Sequence, residues 1–221
     1  MENYMNDYLT IALPKGKLFT ISKNLLHRVG LSADHLSEKS RKLVIENGDL
    51  KVRFIIAKTS DVPTYVEYGA ADIGIIGKDI LLESQKDVYE ILDLGFGKCH
   101  LMMAVPQKEK RRRLLDYSYT RVATKYPHIA ESFFARQGMQ MEYIKLNGSI
   151  ELGPIVGLSE SIVDIVETGT TLAENDLEEI AHILDVSARL IVNRVSFKLK
   201  FHRINEIVNN LRPIIESGEI L

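Results

Sequence analysis

The chemistry of this chain is concentrated at Thr168-Gly169-Thr170-Thr171. Small side chains leave the backbone N–H groups of such a loop open to an anion, and the threonine hydroxyls can donate as well. Gly169 leaves room for the backbone to approach that anion closely. Two carboxylates, Asp164 and Glu167, stand just before the loop, at the end of an apolar run over 161–166. Carboxylates beside an anion cradle suit a ligand that also carries sugar hydroxyls or a bound Mg²⁺. A phosphorylated ribose is the simplest such ligand. The same residues would also serve as an ordinary polar turn after a strand.

A second candidate is Pro14-Lys15-Gly16-Lys17, after an apolar run over 8–13 and before a helical pattern. A helix N-terminus carries roughly half a positive charge and exposed N–H groups, and two lysines add formal charge. A solvated basic turn is the plain alternative. Arg41, Lys42, Arg53 and Lys58 surround an Asn47-Gly48 hairpin signal. Some are plain surface charges, and Arg41, just before an expected strand, is the candidate to reach a polyphosphate, which spacing alone does not establish. Glycines 74 and 77 bracket a short strand, which suits either a ligand crevice or tight packing. The histidines at 27, 35, 100, 128, 182 and 202 show no ligand spacing for a metal. No Gly-x-Ser-x-Gly elbow or P-loop lysine motif is present, which disfavours acyl transfer and P-loop ATP hydrolysis.

The elements that must position these residues follow from periodicity. Strands are expected at 8–13, 42–46, 50–57, 72–76, 89–94, 99–105, 121–124, 141–146 and 162–166. Helices are expected at 18–29, at 60–68 with Ser60 as cap, at 127–136 and at 148–156. Residues 179–193 read as one long strand. Residues 197–216 read as a helix that Pro213 ends or kinks. Strands and helices alternate, so the class is α/β with mostly parallel sheets. The basic run at 108–113 separates two such α/β stretches and suggests a crossing between domains.

At 221 residues, 45% hydrophobic and 26% charged, the chain can bury one large or two small cores. A net charge of −2 gives no drive toward nucleic acid. No apolar run is long enough to span a membrane, and the N-terminus lacks the basic start of a signal peptide. One cysteine, Cys99, fits a reducing compartment, so a cytoplasmic location is expected.

The stretch 151–172 resembles the signature of the ATP phosphoribosyltransferase family. Glu151, Gly157, Ser159, Ile162, Asp164, Thr168, Gly169, Thr171 and Leu172 all fall at the family's spacing. The segments at 13–18, 60–79, 121–127 and 185–198 are similar to that family too. Lys17 and Lys58 stand where arginine is common. Each keeps its charge and lacks a planar bidentate donor.

The resemblance implies two α/β domains around a cleft, similar to type II periplasmic binding proteins. The first would hold 1–98 and 181–221, and the second, carrying the loop, 99–180. It implies that N1 of the ATP adenine attacks C1 of phosphoribosyl pyrophosphate, releasing pyrophosphate, at the first step of histidine biosynthesis. Asp164 and Glu167 would hold ribose hydroxyls, with Thr168, Gly169, Thr170 and Thr171 around the 5′-phosphate. Lys15, Gly16, Lys17 and Arg41 would face pyrophosphate or ATP phosphates, with Arg41, Lys17 and Asp164 catalytic. Mg²⁺ would arrive with the substrates, held mainly by their phosphates. The chain resembles the family's short form, which implies a homodimer within a hetero-oligomer and a regulatory subunit similar to histidyl-tRNA synthetase. A ligand-sensing module of the same fold and another phosphoribosyltransferase are the competing classes.

Overall fold

A computed structural model describes residues 8–31, 36, 37, 42–109 and 113–218. The chain divides into two compact units. One reaches as far as Gly97 and resumes at Ser187, and the other is Lys98–Val186.

The first unit opens with β1 (Leu9–Pro14), α1 (Lys17–Arg28), β2 (Val44–Asn47) and β3 (Val52–Ala57). It continues through α2 (Val62–Glu67), β4 (Ile73–Gly77), α3 (Lys78–Ser84) and β5 (Tyr89–Asp93). The second unit holds β6 (Cys99–Pro106), β7 (Arg121–Thr124), α4 (Pro127–Arg136) and β8 (Glu142–Lys145). It ends with α5 (Leu152–Ile155), β9 (Ser161–Val166), α6 (Thr170–Glu174) and β10 (Leu177–Val186). The chain then returns to the first unit as β11 (Ala188–Val192), α7 (Arg194–Leu199) and α8 (Phe201–Glu216).

The first sheet has the order β2-β3-β1-β4-β11-β5 and the second β10-β6-β9-β7-β8. In the first, β1 runs parallel to both β3 and β4. In the second, β7 runs parallel to both β8 and β9. The remaining pairings are antiparallel. The expectation of mostly parallel sheets therefore fails. The hairpin joins β2 to β3 directly, and the segments entering and leaving the second unit run against their neighbours.

Strand β1 is buried along its whole length, as a central strand covered on both faces must be. Leu9, Ile11 and Leu13 join Leu25, Leu26, Ile204, Ile207 and Leu211 in one core. Ala12 faces a smaller cluster with Val62, Val66, Ile76 and Ile191. In the second unit Ala104, Ala123, Ile162, Val166, Leu172 and Leu177 pack together. Ile129, Ala130, Phe133 and Phe134 supply the buried face of α4.

Several expectations need correction. The stretch read as one strand over 179–193 is two strands in two sheets. β10 pairs with β6 along its length, from Leu177 opposite Pro106 to Val186 opposite Cys99, with register shifts at Ile180 and Ile183. Ser187 then breaks the run, and β11 pairs with β4 and β5. The return to the first unit thus falls at Ser187 rather than at 181, and the outward crossing at Lys98 rather than 99. The basic run is no crossing, because residues 108 and 113 lie inside the second unit. Ser60 does not cap α2, since its hydroxyl donates to the Asp61 carboxylate at 2.9 Å. The helix expected at 148–156 shrinks to the single turn α5. Pro213 lies inside α8 without ending it.

Candidate functional site

Strand β9 carries Asp164 and delivers the chain into the Thr-Gly-Thr-Thr loop. The loop is slung between two core anchors, Val166 and Leu172, which are 6% and 8% exposed. Gly169 has φ +77° and ψ −5° and caps α6. That left-handed conformation suits glycine and strains a residue with a Cβ. Among the described residues, no atom beyond its immediate chain neighbours lies within 4 Å of where a Cβ would stand. The glycine is thus demanded by the backbone angle, not by a crowded protein neighbour.

The first N–H groups of α6, on Thr170, Thr171 and Leu172, have no acceptor within the helix. They follow directly on the N–H groups of the loop. The Thr168 and Thr170 hydroxyls lie 3.0 Å apart and share a hydrogen bond. Thr168, Thr170 and Thr171 are exposed, and Gly169 is half-buried. Downstream, the Gly169 carbonyl accepts from Ala173 N at 3.1 Å, and the Thr171 carbonyl accepts from Asn175 Nδ2 at 2.8 Å. These bonds close the short helix behind the loop and leave its leading edge facing solvent. Asp164 is half-buried, and its Oδ1 accepts from Ile165 N at 2.8 Å. Glu167 is exposed at the loop's start. The arrangement can hold an anion on backbone N–H and hydroxyl groups, with two carboxylates beside it to accept from sugar hydroxyls.

Sequence reasoning gave no role to Lys125. It follows the last residue of β7, and β7 runs parallel to β9 with Thr124 opposite Val163. Lys125 therefore stands at the same carboxyl edge of the sheet as the loop, where ligands of open α/β sheets bind. The available signal was its position directly after an expected strand.

In the first unit the Lys15-Gly16-Lys17 turn lies at the carboxyl end of β1. Gly16 has φ +91° and caps α1 without a side-chain bond. Lys15 N–H donates to the Ala57 carbonyl at 2.9 Å, and Thr59 Oγ1 donates to the Lys15 carbonyl at 3.2 Å. These bonds tie the turn to the end of β3, next to Lys58. Lys15, Gly16, Lys17 and Lys58 are exposed. β4 ends beside them, and there the Lys78 ammonium pairs with Glu90. Arg53 is occupied elsewhere, bound to Glu46 at 2.7 Å and lying over the Tyr8 ring. Gly74 serves packing, since an added Cβ would meet Val66 at 2.8 Å and Val62 at 2.9 Å. Arg41 lies outside the described residues.

With this geometry in view, likeness to known proteins decides the family. The family model described as HisG, ATP phosphoribosyltransferase, matches residues 58–213. The chain belongs to the ATP phosphoribosyltransferase family. An ATP phosphoribosyltransferase of Desulfitobacterium hafniense is 52% identical over 216 residues, covering 95% of this chain and 97% of that protein. ATP phosphoribosyltransferase 2 of Geobacter sulfurreducens is 50% identical over 212 residues, covering 94% and 98%. Among solved structures, the ATP phosphoribosyl transferase (HisG:HisZ) complex from Thermotoga maritima matches with TM-score 0.79 and 32% identity, over 95% of this chain and 99% of that one. The substrate-binding protein of an amino acid ABC transporter matches with TM-score 0.62 and 12% identity, over 96% and 95%. That last likeness is one of fold, and it agrees with the expected type II binding-protein architecture. As an ATP phosphoribosyltransferase the chain is an enzyme of phosphoribosyl transfer, acting at the first step of histidine biosynthesis. No helix among the described residues is long and apolar enough to cross a membrane.

Proposed function

We propose that the second unit binds phosphoribosyl pyrophosphate and presents its C1 to N1 of the ATP adenine. The observation that carries this reading is the left-handed Gly169 at the head of α6, flanked by threonine hydroxyls and preceded by Asp164 and Glu167. Thr168, Gly169, Thr170 and Thr171 take the 5′-phosphate. Asp164 and Glu167 accept hydrogen bonds from the ribose hydroxyls.

The nucleophile is a ring nitrogen, so the transfer needs no serine or cysteine. As the C1–O bond to pyrophosphate breaks, positive charge spreads over C1 and the ring oxygen, and negative charge grows on the leaving group. A carboxylate fixed near the ribose stabilises the first charge, and ammonium groups the second. Lys15, Lys17 and Arg41 are assigned to the phosphates of ATP or of the leaving group, with Gly16 shaping their turn. Orientation supplies much of the remainder, roughly 7–11 kcal/mol in favourable cases. Mg²⁺ would enter on the substrate phosphates and be held mainly by them, with Asp164 and Glu167 the oxygen donors nearby; bound there, it would offset the charge of the departing pyrophosphate.

The enzyme is read as a short-form, cytoplasmic member that works as a homodimer within a hetero-oligomer, beside a regulatory subunit related to histidyl-tRNA synthetase. The Thermotoga complex supports the second type of subunit, and a single cysteine in the sequence suits a reducing compartment. The test mixes the protein with ATP, phosphoribosyl pyrophosphate and Mg²⁺ and follows the ultraviolet absorbance of an N1-substituted adenine. Product should form, and Asp164→Asn should slow it. No product from the protein, alone or with its regulatory subunit, would refute the assignment.

A further inference from the structure

Lys125 is held at a defined point on the edge that carries the phosphate loop. Thr124 Oγ1 donates to the Val163 carbonyl at 2.7 Å and accepts from Tyr126 N at 2.9 Å. These bonds lock the end of β7 onto β9 and fix where the chain turns. Thr124 opposite Val163 is the last pair of the parallel register, so Lys125 leaves β7 one residue on, at about the level of Asp164. Lys125 is half-buried, and its ammonium lies over the Tyr126 ring, 5.6 Å from the centroid. It makes no hydrogen bond or ion pair with any described residue. Three other lysines of partly buried character have carboxylate partners: Lys78 with Glu90, Lys86 with Glu67 and Lys200 with Asp72. A partly desolvated ammonium without such a partner is costly, and an aromatic face offsets only part of the cost. An anionic ligand would supply the rest.

We infer that Lys125 binds the diphosphate carried by C1 of the phosphoribosyl substrate. The inference rests on the phosphoribosyl reading of the Thr168–Thr171 loop. Register selects the diphosphate over the 5′-phosphate. Glu167, where the loop begins, is three residues beyond Asp164, roughly 10 Å at the usual strand rise. A ribose with its hydroxyls on Asp164 and its 5′-phosphate on the loop turns C1 away from the loop, toward the level of Lys125. There the ammonium meets the charge that grows as the leaving group departs.

The test uses the full chain with Lys125→Gln and Lys125→Arg. Calorimetry measures affinity for phosphoribosyl pyrophosphate, and displacement by inorganic pyrophosphate measures affinity for the leaving group. Lys125→Gln should weaken both by about tenfold, as expected for one lost charge-assisted bond. Lys125→Arg should keep most of each affinity, and thermal midpoints and ATP affinity should not move. Wild-type affinities in the Gln variant would overturn the inference. So would a loss confined to phosphoribosyl pyrophosphate with pyrophosphate unaffected, since that places the contact at the 5′-phosphate. If the wild-type chain fails to bind phosphoribosyl pyrophosphate, the loop reading falls and this inference with it. If it binds and the Gln variant binds equally well, only the role of Lys125 falls.

Discussion

Arg121 and Glu160 grip each other through backbone and side chain together. Glu160 N donates to the Arg121 carbonyl at 3.1 Å. The Glu160 carboxylate accepts from Arg121 N at 2.8 Å and from the guanidinium at Nε and Nη2. Arg121 begins β7 and Glu160 precedes β9, so the clasp sets the register on which Asp164 and the loop ride. Hydrogen bonding from the guanidinium holds the Glu160 carboxyl below the usual carboxylate range. A lowered pKa contributes stability above the unfolded value, about 4.3, and that contribution is lost as pH falls through the folded value. Both side chains are over a third exposed, at 39% and 37%, so solvent screening keeps the effect modest. Glu160→Gln should lower the thermal midpoint at pH 7, and the gap should close in acid. Unfolding curves of both proteins from pH 7 to pH 3 check this, and a gap independent of pH would refute it.

Gly169 gives a prediction with two readouts. An alanine there must adopt φ near +77°, which costs roughly 1–2 kcal/mol. Asparagine tolerates that region better. Gly169→Ala should therefore lose some stability, and Gly169→Asn less. In the proposed binding mode any side chain at this point would stand in the way of the 5′-phosphate, so both variants should bind phosphoribosyl pyrophosphate about tenfold more weakly or worse. Calorimetric titration beside thermal unfolding separates the two effects. Unchanged affinity in the alanine variant would remove the loop from the site.

Asp164 tests the division of labour between substrates. Its assigned partners are the ribose hydroxyls, so Asp164→Asn should lower turnover and leave ATP affinity nearly intact. Loss of one charge-assisted bond corresponds to about tenfold in rate or more. Steady-state kinetics with ATP titrated by calorimetry make the comparison. A collapse of ATP affinity would mean that the substrates are assigned the wrong way round.

Local signals carried much of the architecture. The Asn47-Gly48 hairpin, the Gly30 and Gly69 helix stops and the strand feeding the Thr-Gly-Thr-Thr loop all lie where residue types demand them. The misreadings of the sheets share a cause: they depended on partners distant in sequence. Residues 177–192 carry strand-forming apolar residues on both sides of Ser187, and nothing local marks Ser187 as the point where one sheet hands over to another. Its role emerges only in the fold, where Ser187 Oγ donates to Asp93 at 2.8 Å and its carbonyl accepts from Lys78 N at 3.0 Å. Arg53 looked as available as Lys58 until β2 brought Glu46 across the hairpin. Lys125 was passed over because parallel register, unlike a hairpin, leaves no mark in the sequence between the paired strands.

Asn193 anchors the returning segment and should be costly to remove. Its Oδ1 accepts from Val195 N and Ser196 N, both at 2.9 Å, capping α7. Its Nδ2 donates to the carbonyls of Val66 and Glu67 at 2.8 and 3.1 Å. Asn193→Ala loses a helix cap and leaves buried groups unpaired, together about 2–3 kcal/mol. Asn193→Asp keeps the cap and loses the amide donor, so it should fall between. Denaturant unfolding of the three proteins orders them, and an alanine variant as stable as wild type would contradict the anchoring role.

Regulation is the last expectation. The curated relatives span the same extent of chain as this one, 97% and 98% of their lengths being matched. The Thermotoga structure pairs a chain of this kind with a second type of subunit. The proposed phosphate loop, carboxylates and basic turn lie within these residues, so the isolated chain should turn over slowly and speed up when a regulatory partner binds. Feedback by histidine requires a second site coupled to the first, typically by about 1–3 kcal/mol, or roughly 5- to 150-fold in affinity. With that site on the partner, histidine should inhibit the complex and leave the isolated chain unaffected. Linkage adds a reciprocal check, since phosphoribosyl pyrophosphate should then weaken histidine binding to the complex by the same factor that histidine weakens substrate binding. Kinetics of chain and complex, with histidine titrated calorimetrically against each, test both statements. Saturable inhibition of the isolated chain at low histidine concentration would place the regulatory site on this chain instead.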